Sequence, residues 1–248
     1  MTQAIGIDIG GTGIKGALVD LDSGELVSER VKRATPEGGR PADVIAVVAE
    51  IADELGAERL DAVGVCFPAI VLGGRTMSAA NVSDEWIGLD ADQLFAEALG
   101  RDIHFVNDAD AAGYAEARYG AAAGRRGLTI VTTLGTGIGS AFIHDGVLLP
   151  NTELGHLELD GADVETWAAN SVREREELSF EDWAVRLQRF YSHVEFLFSP
   201  TLFVVGGGVS KHHEEFLPLL RLRTPIVPAT LRNNAGLMGA AALALRHS

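Results

Sequence analysis

The amino-acid sequence predicts an α/β protein built from two related halves. The first observation is a repeat, because Gly-Thr-Gly-Ile occurs at residues 11–14 and again at 135–138, half a chain length apart. The second is that each copy lies between two apolar, β-rich runs that lead to a turn, which predicts paired strands. The third is that strand-like and helix-like segments alternate between the copies, as α/β layers require.

The elements follow in order along the chain. Val44, Val48 and Ile51 recur at helical spacing before Gly56, which predicts a helix with a glycine at its carboxyl end. The same rules predict strands at 61–67, 103–106 and 202–205, and helices at 91–99, 109–119, 183–197 and 235–245. We expect a first lobe at 1–107, a second at 108–231 and a helix in 232–248 that returns to the first lobe. No linker-like stretch separates the halves, so a cleft between them is expected.

Composition excludes several classes of protein. Lys and Arg number 20 against 35 Asp and Glu, a net charge of −15, which opposes binding to nucleic acids and to anionic membranes. No apolar run reaches membrane-spanning length, and the first residues resemble a strand, so export is not expected. Cys66 is the only cysteine, so neither a disulfide nor a cysteine-rich zinc site is expected. A soluble, cytoplasmic protein is predicted.

Three glycine-rich turns each follow an apolar strand. Glycine lets the backbone approach a phosphate and direct N–H groups at it, and threonine adds a hydroxyl donor. The candidate phosphate-binding residues are Gly10, Gly11, Thr12, Gly13, Gly135, Thr136, Gly137, Gly206, Gly207 and Gly208. Each turn alone is equally typical of an ordinary tight turn. None matches the P-loop or the Rossmann pattern, so dinucleotide binding is not predicted.

Duplicated phosphate-binding hairpins with α/β layers resemble the actin-like, hexokinase-like (ribonuclease H-like) ATPase superfamily. Within it, the motifs at residues 8–15, 107–112, 134–140 and 153–156 resemble the ROK family of repressors and sugar kinases, in order across nearly the whole chain. Asn81, residues 86–88, 150–158 and 223–229 are similar to the branch of that family that phosphorylates glucose with polyphosphate.

The resemblance implies roles for particular residues. It makes Asp108 the general base, although an Asp at this strand-to-helix junction is equally typical of a helix cap. It implies that Asp8 organises Mg²⁺ through water, and that zinc is absent because the cysteine segment of other members is missing. The implied sugar-binding residues are Asn81, Asn107, Asp108, Glu153, His156 and Glu165.

Several points stay open at this stage. Glu158 competes with Glu165 as the third sugar-binding carboxylate, and Ala69 stands where the family usually has glycine. Asp110 is expected to be a solvated residue of the first helical turn. Lys15 is left outside the site because the hairpin register decides where it points.

The resemblance implies a glucokinase that uses polyphosphate, ATP or both as the phosphoryl donor. It also implies a homodimer. A polyanionic donor needs local cations on a protein this acidic. The candidates are Arg125, Arg126, Lys211, His212, His213, Arg221, Arg223 and Arg232, if the fold gathers them around the Gly206 turn. The alternatives are an ATP-dependent kinase for mannose, fructose or an N-acetylated hexosamine, a non-catalytic sugar sensor, and an actin-like structural ATPase. The first motif begins at Asp8, which leaves no room before it for the DNA-binding domain of a repressor.

Overall fold

A computed structural model describes residues 2–60 and 62–245. The chain forms two compact units. The first unit is Met1–Ala115 with Asn234–Ser248, and the second is Glu116–Asn233. The predicted lobe boundaries, after residues 107 and 231, differ from the ends of these units and stay predictions.

The strands and helices of the described residues, in chain order, fall in both units. The strands are β1 (Gln3–Ile9), β2 (Gly13–Asp20), β3 (Val31–Ala34), β4 (Val63–Phe67), β5 (Val71–Leu72), β6 (Arg75–Thr76), β7 (His104–Asn107), β8 (Leu128–Leu134), β9 (Ile138–His144), β10 (Val147–Leu149), β11 (Glu158–Leu159), β12 (Ala162–Asp163), β13 (Leu202–Gly206) and β14 (Ile226–Pro228). The helices are α1 (Pro41–Glu54), α2 (Ala91–Leu99), α3 (Asp108–Tyr119), α4 (Glu165–Ala168), α5 (Asn170–Arg175), α6 (Phe180–Phe198), α7 (His213–Phe216) and α8 (Ala235–Ala244).

The first unit is organised around a five-stranded sheet of order β3-β2-β1-β4-β7. β1 and β2 form an antiparallel hairpin closed by the pair Ile9 and Ile14, whereas β4 and β7 run parallel to β1. The isoleucines of β1 alternate into the core, where Ile5, Ile7 and Ile9 are fully buried. The parallel strands therefore all end at the same edge of the sheet.

Helix α8 packs closely on this sheet, against β1 and β4. A Cβ at Gly6 would collide with the Leu237 carbonyl, and one at Gly64 would collide with the Ala240 carbonyl. All ten residues of α8 are buried. The last helix thus belongs to the same unit as the first strand, although the whole second unit separates them in sequence.

The second unit repeats this topology, with a sheet of order β10-β9-β8-β13-β14. Here β8 and β9 form the antiparallel hairpin, closed by Leu134 and Ile138, and β13 and β14 run parallel to β8. The 19-residue helix α6 begins at a serine cap, Ser179, and buries Trp183, Leu187 and Phe190 in the core. The same order of antiparallel and parallel strands in both units confirms the predicted duplication.

The predicted helices and strands are present within a few residues of their expected ends, although Asp61, the predicted start of one strand, lies outside the described residues. The edge strands β3 and β14 were not predicted. β14 contains Pro228, follows Pro225 and has three residues, so its sequence is typical of a loop. None of the helices at 2–60 and 62–245 is long and apolar enough to cross a membrane.

Candidate active site

Two carboxylates of the first unit meet at the carboxyl edge of its parallel strands. Asp8 of β1 is paired with Cys66 of β4, and Cys66 is paired with Val106 of β7. Asp108 follows the end of β7 and begins α3. Because parallel strands end at the same edge, Asp8 and Asp108 lie on either side of Cys66.

The pKa of the Cys66 thiol depends on this arrangement. Burial raises its pKa well above the usual value, and the charges of Asp8 and Asp108 raise it further, while Lys15 opposes them. The thiol is fully buried and remains protonated at neutral pH. Cys66 is therefore a structural residue, and the two carboxylates are the candidate reactive groups of this edge.

Lys15 joins the site through the hairpin register, which places it directly opposite Asp8. Its Nζ lies 3.0 Å from Asp8 Oδ2, and the two side chains are 25% and 17% exposed. The N-terminal turn of α8 also lies against Asp8, since a Cβ on Gly236 would stand 2.7 Å from Oδ2. A lysine and a helix N-terminus both favour a negative charge here. Sequence reasoning omitted Lys15 because only the register shows which face it occupies.

Asn107 carries the cap of α3. Its Oδ1 accepts a hydrogen bond from Asp110 N at 3.0 Å, and its Nδ2 donates to Ala69 O at 2.9 Å. The helix-cap interpretation considered for Asp108 therefore applies to its neighbour. Asp108 Oδ1 accepts a bond from Ala109 N at 2.8 Å, which orients the carboxylate at the start of the helix. Ala69 is buried and takes part in this arrangement through its carbonyl group.

The prediction for Asp110 was wrong. Its side chain is fully buried instead of solvated. The first turn of α3 packs closely against α8, where a Cβ on Gly239 would collide with the Ala111 backbone. The sequence pattern of α3 did not reveal this contact, because the partner helix lies more than a hundred residues away in sequence.

Asn81 lies against the first phosphate-binding turn. A Cβ on Gly11 would stand 2.8 Å from Asn81 Cβ, so glycine is required there. Asn81 has a left-handed backbone, with φ of 61°, and is exposed. The first unit thus places a predicted sugar-binding residue beside a predicted donor-binding residue.

Glu165 makes the equivalent contact in the second unit. Its Oε2 accepts a hydrogen bond from Ile138 N at 3.1 Å, and a Cβ on Gly137 would stand 2.5 Å from that oxygen. Its Oε1 lies 3.9 Å from His156 Nδ1. Glu158, the competing residue, is exposed on β11. The structure brings Glu165 to His156, and the sugar-binding role of Glu165 stays a prediction.

His156 is oriented by a residue that sequence reasoning missed. Its Nδ1 lies 3.0 Å from Oδ2 of Asp163, on the short hairpin of β11 and β12. This hydrogen bond raises the pKa of His156, the charges of Glu165, Asp163 and Glu153 add to it, and burial opposes it. The only signal in the sequence was the Asp160-Gly161 turn, which predicts a hairpin that returns Asp163 toward His156.

Glu153 completes this group. Burial raises its pKa, and Glu165 adds to the rise while His156 opposes it. The segment before it is fixed by Ser140 of β9, whose Oγ donates to Thr152 O at 2.6 Å and accepts from Leu154 N at 3.0 Å. The second unit therefore brings Glu153, His156 and Glu165 near one another and near the Gly135 turn.

The Gly135 and Gly206 turns also lie together. Gly206 is paired with Thr133 in the parallel ladder of β8 and β13, so both turns leave the same edge of the second sheet. Ser171 ties the Gly135 turn to α5, since its N donates to Gly135 O and its Oγ to Thr136 O. This edge holds several backbone N–H groups within two short turns, as phosphate binding requires.

The candidate cations do not all gather around the Gly206 turn. Lys211 and Arg232 follow the carboxyl ends of β13 and β14 and lie on that side. Arg125, Arg126, Arg221 and Arg223 precede β8 and β14 and lie at the opposite, amino edge. Arg223 is also paired with Glu195 at 3.3 Å. The possible basic track is therefore split between the two edges.

The site offers a metal ion oxygen ligands from carboxylates. At residues 2–60 and 62–245, no three or more His, Cys, Asp or Glu side chains are arranged to hold a metal ion. Asp8 supplies a carboxylate beside the first phosphate-binding turn. Such a site suits Mg²⁺, which usually keeps several waters and binds one or two carboxylates together with substrate phosphates.

Comparisons with known proteins show the family of the chain. The model of the ROK family matches residues 4–169, and the chain belongs to that family. Its two units have the actin-like, hexokinase-like fold of the ROK sugar kinases.

Particular relatives resemble the chain over its whole length. A polyphosphate glucokinase of Mycobacterium tuberculosis is 46% identical over 96% of this chain and 90% of its own. The inorganic polyphosphate/ATP-glucomannokinase of Arthrobacter sp. strain KM is 56% identical, covers both chains completely and superposes with a TM-score of 0.93. The ROK hexokinase of Thermus thermophilus is 27% identical, with a TM-score of 0.81 over 99% of both chains.

Proposed function

We propose that this protein is a glucokinase that transfers a phosphoryl group from inorganic polyphosphate, ATP or both to the 6-hydroxyl of glucose. The observation that carries the proposal is the full-length similarity to kinases named for polyphosphate and for glucose. The carboxylate edge and the three glycine-rich turns supply the groups that such a reaction needs.

Asp108 is the base in this proposal. A carboxylate at the end of a buried strand is rigidly placed. Asp110 N donates a hydrogen bond to Asn107 Oδ1, which fixes the backbone, and Ala109 N donates to Asp108 Oδ1, which fixes the side chain. Asp108 accepts the proton of the 6-hydroxyl as the oxygen attacks phosphorus. Asn81 and Asn107 of the first unit bind sugar hydroxyls.

The second unit binds the hexose through Glu153, His156 and Glu165. Two carboxylates and an imidazole offer both acceptors and a donor, which suits adjacent hydroxyl groups. The donor phosphates bind the backbone N–H groups of the Gly10, Gly135 and Gly206 turns. Asp8 would hold Mg²⁺ through water, and the ion would supply positive charge to neutralise the phosphates; the proposal includes no zinc.

Parallel assays of glucose phosphorylation with ATP and with polyphosphate, across a salt series, test the donor. We expect polyphosphate to work as well as or better than ATP at low salt, and its KM to rise steeply with salt because the donor is a polyanion. Turnover with ATP and none with polyphosphate would restrict the protein to ATP. No glucose-dependent transfer from either donor would refute the kinase assignment.

Mannose is a second candidate acceptor, because the Arthrobacter relative is named a glucomannokinase. The same assay with mannose tests it. The cytoplasmic location, the homodimer and the absence of nucleic-acid and membrane partners rest on the family resemblance and the net charge of −15. Light scattering tests the homodimer, and elemental analysis of the purified protein tests the absence of zinc.

A further inference from the structure

The amino edge of the second sheet carries a turn with two arginines, the Arg125–Arg126 turn. It lies between Gly124 and Gly127, whose φ angles are 70° and 80°, so glycines bend the chain sharply on both sides. Arg125 N donates to Ala122 O at 3.1 Å, and Arg126 O accepts from Thr201 Oγ1 at 2.9 Å. The backbone of the turn is therefore fixed.

The two guanidinium groups have no partner among residues 2–60 and 62–245. Both side chains are exposed, and within the described parts of the chain neither forms a hydrogen bond or an ion pair. Many other arginines of this acidic protein are paired with carboxylates, as Arg223 is with Glu195. Two adjacent unpaired arginines therefore stand out against a net charge of −15.

The arginines line a cavity of about 420 Å³. Its other lining residues include Ala117, Ala122, Ile143, Thr129 and Asp145. Asp145 is the one acidic residue among the lining residues, and its Oδ1 accepts a hydrogen bond from Gly127 N at 2.7 Å. The cavity thus holds two free guanidinium groups against one carboxylate that is bound by the turn.

We propose that this cavity binds phosphate groups of a long polyphosphate chain, as a second contact for the donor. The inference rests on the proposed use of polyphosphate. Guanidinium groups bind phosphate oxygens through paired hydrogen bonds, and two adjacent ones suit successive phosphates of a chain. β8, with seven residues, separates the turn from Gly135 by about 20 Å.

This separation predicts a dependence on chain length. A donor bound at both places gains affinity because the second contact forms within one molecule. ATP and tripolyphosphate are too short to reach both the Gly135 turn and the arginines. Only long-chain polyphosphate therefore benefits from Arg125 and Arg126.

The test compares the double variant R125Q/R126Q with the wild type and with R175Q/R189Q. The control removes the same charge from two exposed arginines of the same unit that are paired with Glu176 and Asp160. KM is measured for long-chain polyphosphate, tripolyphosphate and ATP at several salt concentrations.

We expect R125Q/R126Q to raise the KM for long-chain polyphosphate about tenfold and to lower its log–log salt slope by about 2, one for each arginine. The KM for tripolyphosphate and for ATP, and kcat, stay within twofold of the wild type, and the control variant behaves as the wild type does. An equal rise for long and short donors, or no rise, would overturn the inference.

Equilibrium binding separates this inference from the proposed activity. Labelled long-chain polyphosphate is titrated into each protein with a non-hydrolysable ATP analogue present to occupy the donor turns. Binding by the wild type and the control, with weakening of about tenfold in R125Q/R126Q, supports the arginine site even if polyphosphate fails as a donor. Equal binding by all three proteins would refute it.

Discussion

The two hairpins that define the halves differ in the length of the turn and in the residue pair beside it. In β1–β2 four residues separate the closing pair, Ile9 and Ile14, whereas in β8–β9 three residues separate Leu134 and Ile138. The pair next to the closing pair is Asp8 and Lys15 in the first hairpin, but Thr133 and Gly139 in the second. The repeated hairpin therefore contains an ion pair, Asp8 with Lys15, in the first half and an uncharged pair at the same place in the second.

Both hairpins nevertheless share one close contact. A glycine of each turn lies against a predicted sugar-binding residue: Gly11 against Asn81, and Gly137 against Glu165. In each half a predicted donor-binding turn thus lies in contact with a predicted sugar-binding side chain. The comparison indicates that the duplication supplies the framework of both halves, whereas the predicted base, Asp108, and the predicted metal ligand, Asp8, belong to the first.

The largest effect is expected at Asp108, the predicted base, since none of the predicted sugar-binding residues of the second unit has that role. D108N should lower kcat by about 10²–10⁴-fold, because a general base acts on the chemical step. The affinity for glucose, measured by equilibrium titration, should stay within about tenfold. Activity near that of the wild type would show that the reactive carboxylate lies elsewhere.

The paired glycines test whether both turns position the sugar. G137A and G11A should each lower kcat/KM for glucose by roughly 10²-fold, since the new Cβ displaces Glu165 or Asn81 by about an ångström. G135A, where the Cβ meets open space, is the matched control for the KM of glucose. A loss in only one of G137A and G11A would break the symmetry between the halves.

Much of this arrangement could be predicted from the sequence, because it depends on short-range signals. The repeated Gly-Thr-Gly-Ile motif indicated both hairpins, and Gly100 marked the end of α2, where its φ is 64°. The features that the sequence did not predict depend on contacts between residues far apart in the chain. The burial of Asp110 requires α8, and the Asp8–Lys15 pair requires the register.

The candidate site divides in the same way. Asp8, Asp108, Glu153 and His156 belong to recognisable motifs, and the structure places Asp8 near Asp108 and Glu153 near His156. Asp163 and the split of the cations between two sheet edges follow from the strand topology. A linear sequence does not show which strand ends lie side by side.

A smaller effect is expected at Asp163, which orients His156. D163N should raise the KM for glucose about fivefold, as the loss of one hydrogen bond of about 1 kcal/mol implies. Because Asp163 raises the pKa of His156, its removal should lower that pKa. Nε2 would then change from donor to acceptor at a lower pH.

The pH profile of KM and the NMR titration of the His156 imidazole both measure this shift. D160N removes an equal charge from the same hairpin, where Asp160 is paired with Arg189, and should leave both unchanged. An unaltered His156 titration in D163N would mean that the hydrogen bond does not orient the ring.

The smallest effect on activity is expected in the second hairpin itself. Thr132 Oγ1 and Tyr191 Oη are hydrogen-bonded at 2.6 Å and buried, and burial raises the pKa of Tyr191. Y191F leaves the Thr132 hydroxyl without its partner and should lower the free energy of unfolding by about 1–3 kcal/mol in urea titrations. A change in kcat of more than twofold would contradict this prediction and would indicate that Thr132 and Tyr191 affect the reaction.

The protected thiol of Cys66 makes the protein a convenient host for spectroscopic labels. Maleimides and iodoacetamides react with exposed thiolates, and Cys66, the one cysteine of the sequence, is buried with a raised pKa. A cysteine introduced on the surface of either unit is therefore modified alone in the folded protein. Pairs of such cysteines would allow distances to be followed during turnover, without first removing a native residue from beside Asp8.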